Sequence, residues 1–198
     1  MVRVLAFSDI HNDWTTLRSL LKEKADCYVC AGDLTYNEKG IKEAYELMKP
    51  HLDRIYIVPG NNETPETIAA LFPKHVHSRV LECEGLRIGG IGGTKTTPWH
   101  TAFDWTEDYA YKILERLGET DIFISHCPPS GTTLAKTADG RDVGSEAVRW
   151  YIDTYQPEYA VVAHVHERAG VVENIGKTTA INAGRKGKLI ILENEELL

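Results

Sequence analysis

A long hydrophobic opening is missing from this sequence. Met1-Val2-Arg3-Val4-Leu5-Ala6-Phe7 turns polar at Ser8-Asp9, too short an apolar stretch for a signal peptide and far too short to span a bilayer. A cytoplasmic protein with no membrane partner is expected. Positive charge is also short: 22 lysines and arginines face 29 aspartates and glutamates, a net charge of −7. That long-range field repels polyanions, so duplex nucleic acid is not an expected partner. Cysteine is sparse, at Cys27, Cys30, Cys83 and Cys127. A cytosolic compartment disfavours disulfides, and buried free thiols are expected. Cys27 and Cys30 have redox-motif spacing, but they share an expected strand, where an odd offset sends them to opposite faces. Repeats, low-complexity tracts and linkers are absent too. With 42% hydrophobic and 26% charged residues over 198 positions, one ordered domain spanning 1–198 is expected.

What is present reads as alternating strands and helices. Val2 to Phe7 is a buried strand, Asn12 or Asp13 caps a helix carrying Trp14, Leu17, Leu20 and Leu21, and Cys27 to Ala31 is a second strand. A helix through Ile41, Ala44, Tyr45 and Met48 ends at Pro50, and Arg54 to Val58 is a third strand. Thr64-Pro65 starts a short helix. Arg79 to Ile88 alternates about Glu84-Gly85 and predicts a hairpin, which makes the architecture mixed. Thr106-Glu107-Asp108 opens another helix, and Asp121 to Ser125 and Tyr159 to Ala163 are apolar strands. Val171-Val172, Thr179 to Asn182 and Leu189 to Leu192 supply a last hairpin and strand. The segments 92–105 and 128–144 are long for loops of a compact domain.

Polar residues able to bind metal follow the expected strands, the end where open α/β sheets place their sites. They are Asp9-Ile10-His11, Gly32-Asp33, Gly60-Asn61-Asn62, Ser125-His126 and Ala163-His164-Val165-His166. Each alone is weak, since an Asp there is often a helix cap and a lone His is more often a surface or core residue than a ligand. Together they offer oxygen and nitrogen donors without thiolate, which suits Mn, Fe, Zn, Co or Ni. Asp-x-His keeps a period of two at a strand end, so both side chains are expected on one side. His75-Val76-His77 has the spacing of the last pair but follows Phe72-Pro73-Lys74, and is expected to be solvent-exposed.

The order of these motifs from Asp9 to His166 resembles the calcineurin-like metallophosphoesterase superfamily. Ser125-His126-Cys127-Pro128-Pro129, the stretch Asp139 to Ser145 and Ile181-Asn182-Ala183-Gly184 resemble its small single-domain prokaryotic members. The resemblance implies a mixed α/β, four-layer αββα sandwich of two mixed sheets flanked by helices. It also implies two divalent ions, manganese foremost. Asp9, His11 and His166 would hold one, Asn61, His126 and His164 the other, and Asp33 would bridge. A metal-bridging hydroxide would then hydrolyse a small phosphate ester, the expected partner, with a homodimer compatible with the sequence. Against the acidic field, two ions with two carboxylates would leave a locally positive site.

In many members a histidine follows the metal-binding Asn and helps protonate the leaving oxygen; here it is Asn62. A carboxamide donates a hydrogen bond but gives up no proton near neutral pH. The expected preference is therefore for phosphodiesters, or esters with acidic leaving groups, over simple alkyl phosphomonoesters. His100, with Cys127 behind it, is the candidate replacement acid. Ala163 stands where the family usually has glycine, and Trp99, Trp105 and Tyr109 are either an aromatic wall or core. The alternative reading is a non-catalytic scaffold on the same fold, like the retromer subunit that resembles these enzymes. A metallonuclease would need a basic track that the chain lacks.

Overall fold

Alternation along the first strand sets the layers. In β1 (Val2–Phe7), Val2, Val4 and Ala6 face one apolar cluster while Leu5 and Phe7 face another. The computed structural model describes residues 1–97 and 101–193. The chain continues through α1 (Trp14–Leu20), β2 (Cys27–Cys30), α2 (Ile41–Met48), β3 (Ile55–Ile57), α3 (Pro65–Leu71), β4 (Val80–Cys83) and β5 (Leu86–Ile91). Then follow β6 (Thr94–Lys95), β7 (Asp104–Trp105), α4 (Glu107–Leu117), β8 (Ile122–Ser125), α5 (Glu146–Tyr155), β9 (Tyr159–Val162), β10 (Val172–Ile175), β11 (Thr178–Asn182) and β12 (Lys188–Leu192).

One sheet has the order β12-β1-β2-β3 and the other β10-β11-β9-β8-β5-β4. Both are mixed. The β1–β2–β3 and β11–β9–β8–β5 pairings are parallel, and β12, β10 and β4 close the edges antiparallel. The inner layer joins Val4, Val29 and Tyr56 of the first sheet to Ile88, Ile124 and Val161 of the second. Leu17, Ala44 and Ile68 from α1, α2 and α3 cover the outer face of the first sheet; Leu114 and Ile152 from α4 and α5 cover the second. The expected αββα sandwich is the fold. Among the described residues no helix is long and apolar enough to cross a membrane.

Caps and turns follow local chemistry. Asp13, Thr64 and Thr106 accept from the Thr16, Thr67 and Tyr109 N–H groups. Glu84 and Gly85 both take positive φ, the mirror-image turn that a tight hairpin between β4 and β5 needs. Helix α5 is an element that the sequence pattern does not announce, although Ser145 caps it and Ala147, Val148, Tyr151 and Ile152 bury at helical spacing. Glu107, at the start of α4, accepts from the Ser145 hydroxyl (2.8 Å) and the Ala147 N–H (3.0 Å), locking the two helices together.

Three expectations are corrected. Cys27 and Cys83 form a disulfide from β2 to β4, with Cα atoms 6.6 Å apart, leaving Cys30 and Cys127 as free thiols. Compartment says nothing of geometry, and here two inward-facing positions meet across the sandwich. Cys27 and Cys30 do face opposite layers. His75 and His77 are half-buried rather than solvent-exposed, because the 75–78 segment bridges to β3 and β5. His77 accepts from the Gly92 N–H at 3.0 Å, and burial pushes its pKa down to about 4. The segment 92–105 is no plain loop, since it contains the β6–β7 pair.

Candidate metal centre

The ends of β1, β2, β3, β8 and β9 converge at one rim of the sandwich and carry all seven expected donors there. Asp9, His11 and His166 place ligand atoms within 4.8 Å of one another, as do Asp9, Asp33 and His126. Asp33 Oδ2 stands between the two halves, 3.5 Å from His11 Nε2 and 3.6 Å from His126 Nε2. Asn61 Oδ1 lies 2.9 Å from His126 Nε2 and 3.0 Å from His164 Nδ1. His166 Nε2 is 3.0 Å from His11 Nε2 and 3.5 Å from Asp9 Oδ1.

Strand alternation is not what aims Asp9 and His11 together. Both have left the strand with φ of 53° and 46°, and Asp33 (54°) and His164 (71°) share that left-handed conformation. A non-glycine residue held there costs on the order of 1–3 kcal/mol, and such residues concentrate at functional sites. Gly32 and Gly60 permit the close approach beneath them. A Cβ on Gly60 would fall onto the Asp33 carboxylate, and one on Gly32 onto the Gly60 backbone.

The hydrogen bonds behind the donors fix which atoms face inward. Fully buried His126 holds Nδ1 2.7 Å from the Ala31 carbonyl, so that nitrogen carries the proton and Nε2 presents its lone pair. Asn61 Oδ1, 2.9 Å away, is also an acceptor. Two acceptors at that separation repel unless a cation lies between them, and this donor set fits divalent ions. His11 Nδ1 is likewise turned to the Thr35 carbonyl, at 3.3 Å.

The shifts at Asp9, His11 and His164 agree with that fit, whereas the one at His166 favours its charged form until a cation replaces the proton. Burial opposes the charge on Asp9, yet the His166 hydrogen bond, the His126 field and the Ser8 hydroxyl outweigh it and bring its pKa down to about 2. Burial holds His164 down at about 4, so it is neutral. His11 is lowered by burial, and His166 is raised by its hydrogen bond to Asp9. An ionised carboxylate and neutral imidazoles are the forms that donate to a cation.

Glu63 has a part that the motif series alone does not assign. Fully buried, it accepts from the Asp33 N–H (3.1 Å), the Gly60 N–H (3.0 Å), the Thr35 N–H (2.9 Å) and the Thr35 hydroxyl (2.9 Å). It thereby ties the loop after β2 to the loop after β3; burial and the Asp33 charge push its carboxyl up to about 7. The signal available was its place directly after the Asn pair. Glu63→Gln turns an amide NH2 toward two of those donors, and is expected to cost roughly 2–3 kcal/mol of stability. Urea unfolding of the metal-free protein in mildly alkaline buffer checks this, and an unchanged midpoint contradicts it.

Asn62 does not face open space. Its N–H donates to Asp33 Oδ1 (2.9 Å), its Nδ2 to Asp33 Oδ2 (2.8 Å), and its Oδ1 accepts from the Asn37 N–H (3.2 Å). Cys127 is fully buried in the layer under α4 and α5, and burial pushes its thiol up to about 11. It is no acid for this site. His100 and Trp99 lie outside the described residues. Trp105 is core, donating from Nε1 to the Gly92 carbonyl at 2.8 Å, and Tyr109 is at the surface near His77.

Known proteins resemble this chain in sequence or in fold. A family model described as calcineurin-like phosphoesterase matches residues 2–168. An uncharacterized protein of Methanocaldococcus jannaschii is 28% identical over 200 residues, covering 96% of this chain and 91% of its own. A crystal structure from Thermus thermophilus matches with a TM-score of 0.71 at 19% identity, covering 95% of this chain and 97% of that one. A dimetal phosphatase from Danio rerio matches with a TM-score of 0.55 at 12% identity, covering 91% and 86%. The two solved structures share the fold.

Proposed function

The chain belongs to the calcineurin-like phosphoesterase family, and from that premise we propose a metal-dependent phosphoric ester hydrolase that prefers small phosphodiesters to monoesters. The observation that carries the reading is the pair of acceptors, His126 Nε2 and Asn61 Oδ1, held 2.9 Å apart beside Asp33. In this reading Asp9, His11 and His166 would hold one divalent ion, Asn61, His126 and His164 would hold a second, and Asp33 would serve both. Oxygen and imidazole donors without thiolate suit manganese, with Fe, Zn, Co or Ni also accommodated. Two such ions, when bound, lower the pKa of water and neutralise charge on phosphoryl oxygens.

The preference for diesters follows from Asn62. Both ends of its amide are committed, one to Asp33 and one to the loop after β2. It acts as a positioning residue, holding the Asp33 carboxylate at two oxygens, and it has no proton to deliver to a leaving group. General-acid help is worth roughly 10²–10⁴-fold, and its absence weighs most on poor leaving groups. His100 is the candidate replacement acid in this reading. With manganese present, kcat/KM for bis(para-nitrophenyl) phosphate is expected to exceed that for para-nitrophenyl phosphate by about tenfold or more. A clear monoester preference contradicts the diester reading while leaving the metal centre standing.

A further inference from the structure

Two hollows of opposite character flank the donor cluster. One, of about 270 Å³, lies beside His164 where segments 92–105 and 128–144 meet. Its four charged residues are all engaged. Lys95 donates to the Gly144 carbonyl (2.8 Å), and Arg141 pairs with Asp139 (2.7 Å). Asp142 accepts from the Gly131 and Gly144 N–H groups (2.8 and 2.9 Å), and Glu167 accepts from the Ala138 N–H (2.7 Å). Threonines, Val143 and Val165 make up the rest of the wall.

The other hollow, of about 430 Å³, opens directly from Asp9 and His166 and is rimmed by Arg185 and Lys186 on the turn between β11 and β12. Both cations are exposed, and among the described residues neither makes an ion pair or a side-chain hydrogen bond. Asp13 lies in the field of Arg185, but both its oxygens are taken at the start of α1, by the Thr16 N–H (3.0 Å) and hydroxyl (2.8 Å). Asp9 faces the donor cluster. The floor is of small residues, Gly170 and Gly184 among them, which leaves room for a group the size of a carboxylate or phosphate.

We propose that this hollow takes a second anionic group of the substrate, a carboxylate or further phosphate on the non-leaving substituent of the ester, held by Arg185 and Lys186. The inference rests on the phosphoesterase reading and narrows its substrate class. A phosphoryl group bound between the hollows would have one within reach on the His164 side and one on the Asp9 and His166 side. The threonine-lined hollow sets two cations against two carboxylates, all hydrogen-bonded to protein, and receives a neutral organic group; the Arg185 side offers two free cations, one a planar fork matched to carboxylate or phosphate. In a chain of net charge −7, that pair marks where an acidic substituent is tolerated.

The test compares methyl para-nitrophenyl phosphate with carboxyethyl para-nitrophenyl phosphate on the manganese-loaded protein. The leaving group is the same, so the kcat/KM ratio reports only the substituent. Two exposed cations acting together are expected to favour the carboxyethyl ester about tenfold, with the preference shrinking at ~1 M salt. In Arg185→Gln/Lys186→Gln the ratio is expected to fall to about one. A wild-type ratio near one, or a ratio unmoved by the double substitution or by salt, overturns the inference while methyl-ester turnover upholds the phosphoesterase reading. No turnover of either ester overturns that reading, and the inference with it.

Discussion

Asp33→Asn is expected to lose about a thousandfold or more in manganese-dependent diester turnover while keeping its fold. Asp33 Oδ2 lies within 3.6 Å of ring nitrogens from both halves of the donor cluster. An amide in its place removes the negative charge from the midpoint and turns a donor toward one of them. The backbone should survive, because φ at this position is 54° and Asn tolerates the left-handed conformation better than most residues. A melting curve and a kcat measurement at saturating manganese check both halves. A variant with normal melting and turnover within tenfold of wild type would mean that Asp33 does not join the two halves.

Reduction of the Cys27–Cys83 bridge is expected to lower stability by about 4 kcal/mol, from the chain entropy of closing a loop across a sequence separation of 56. For a chain of this size that is a fall in Tm of about 8–16 °C. Cys27 opens β2, whereas Asp33 follows its end, so the bridge lies at the far end of the sandwich from the donors. The first sheet brings Asp9, His11, Asp33 and Asn61, and the second brings His126, His164 and His166. The disulfide and the donor cluster therefore join the same two sheets at opposite ends. Thermal melts with and without reductant check the effect, with Cys27→Ala as a control that reductant should not move. Four titratable thiols in the unfolded, unreduced protein would contradict the bridge.

The sandwich was legible because burial is patterned. Val2, Val4 and Ala6 against Leu5 and Phe7, and Cys27 and Val29 against Tyr28 and Cys30, each announce a strand buried on both faces. The convergence of the seven polar residues was legible because they follow strands in an ordered series. What was not legible depends on contacts distant in sequence. The pairing of Cys27 with Cys83 needs the two sheets in place, and no local pattern links β2 to β4. Helix α5 follows a long irregular segment whose end only the capping of Ser145 marks. Asp9 and His11 share a side through two left-handed residues, not through strand alternation. Glu63 became a structural anchor only once the loops after β2 and β3 were seen to meet over it, and only that meeting turned Asn62 from an absent acid into a brace for Asp33.

The converging donors are expected to hold two ions. Equilibrium dialysis of the wild-type chain against manganese, with bis(para-nitrophenyl) phosphate turnover followed at each occupancy, measures this directly. Two ions per chain at saturation are expected, with turnover that rises with the second. A chain that binds no manganese, or whose turnover is the same in chelator, would contradict it.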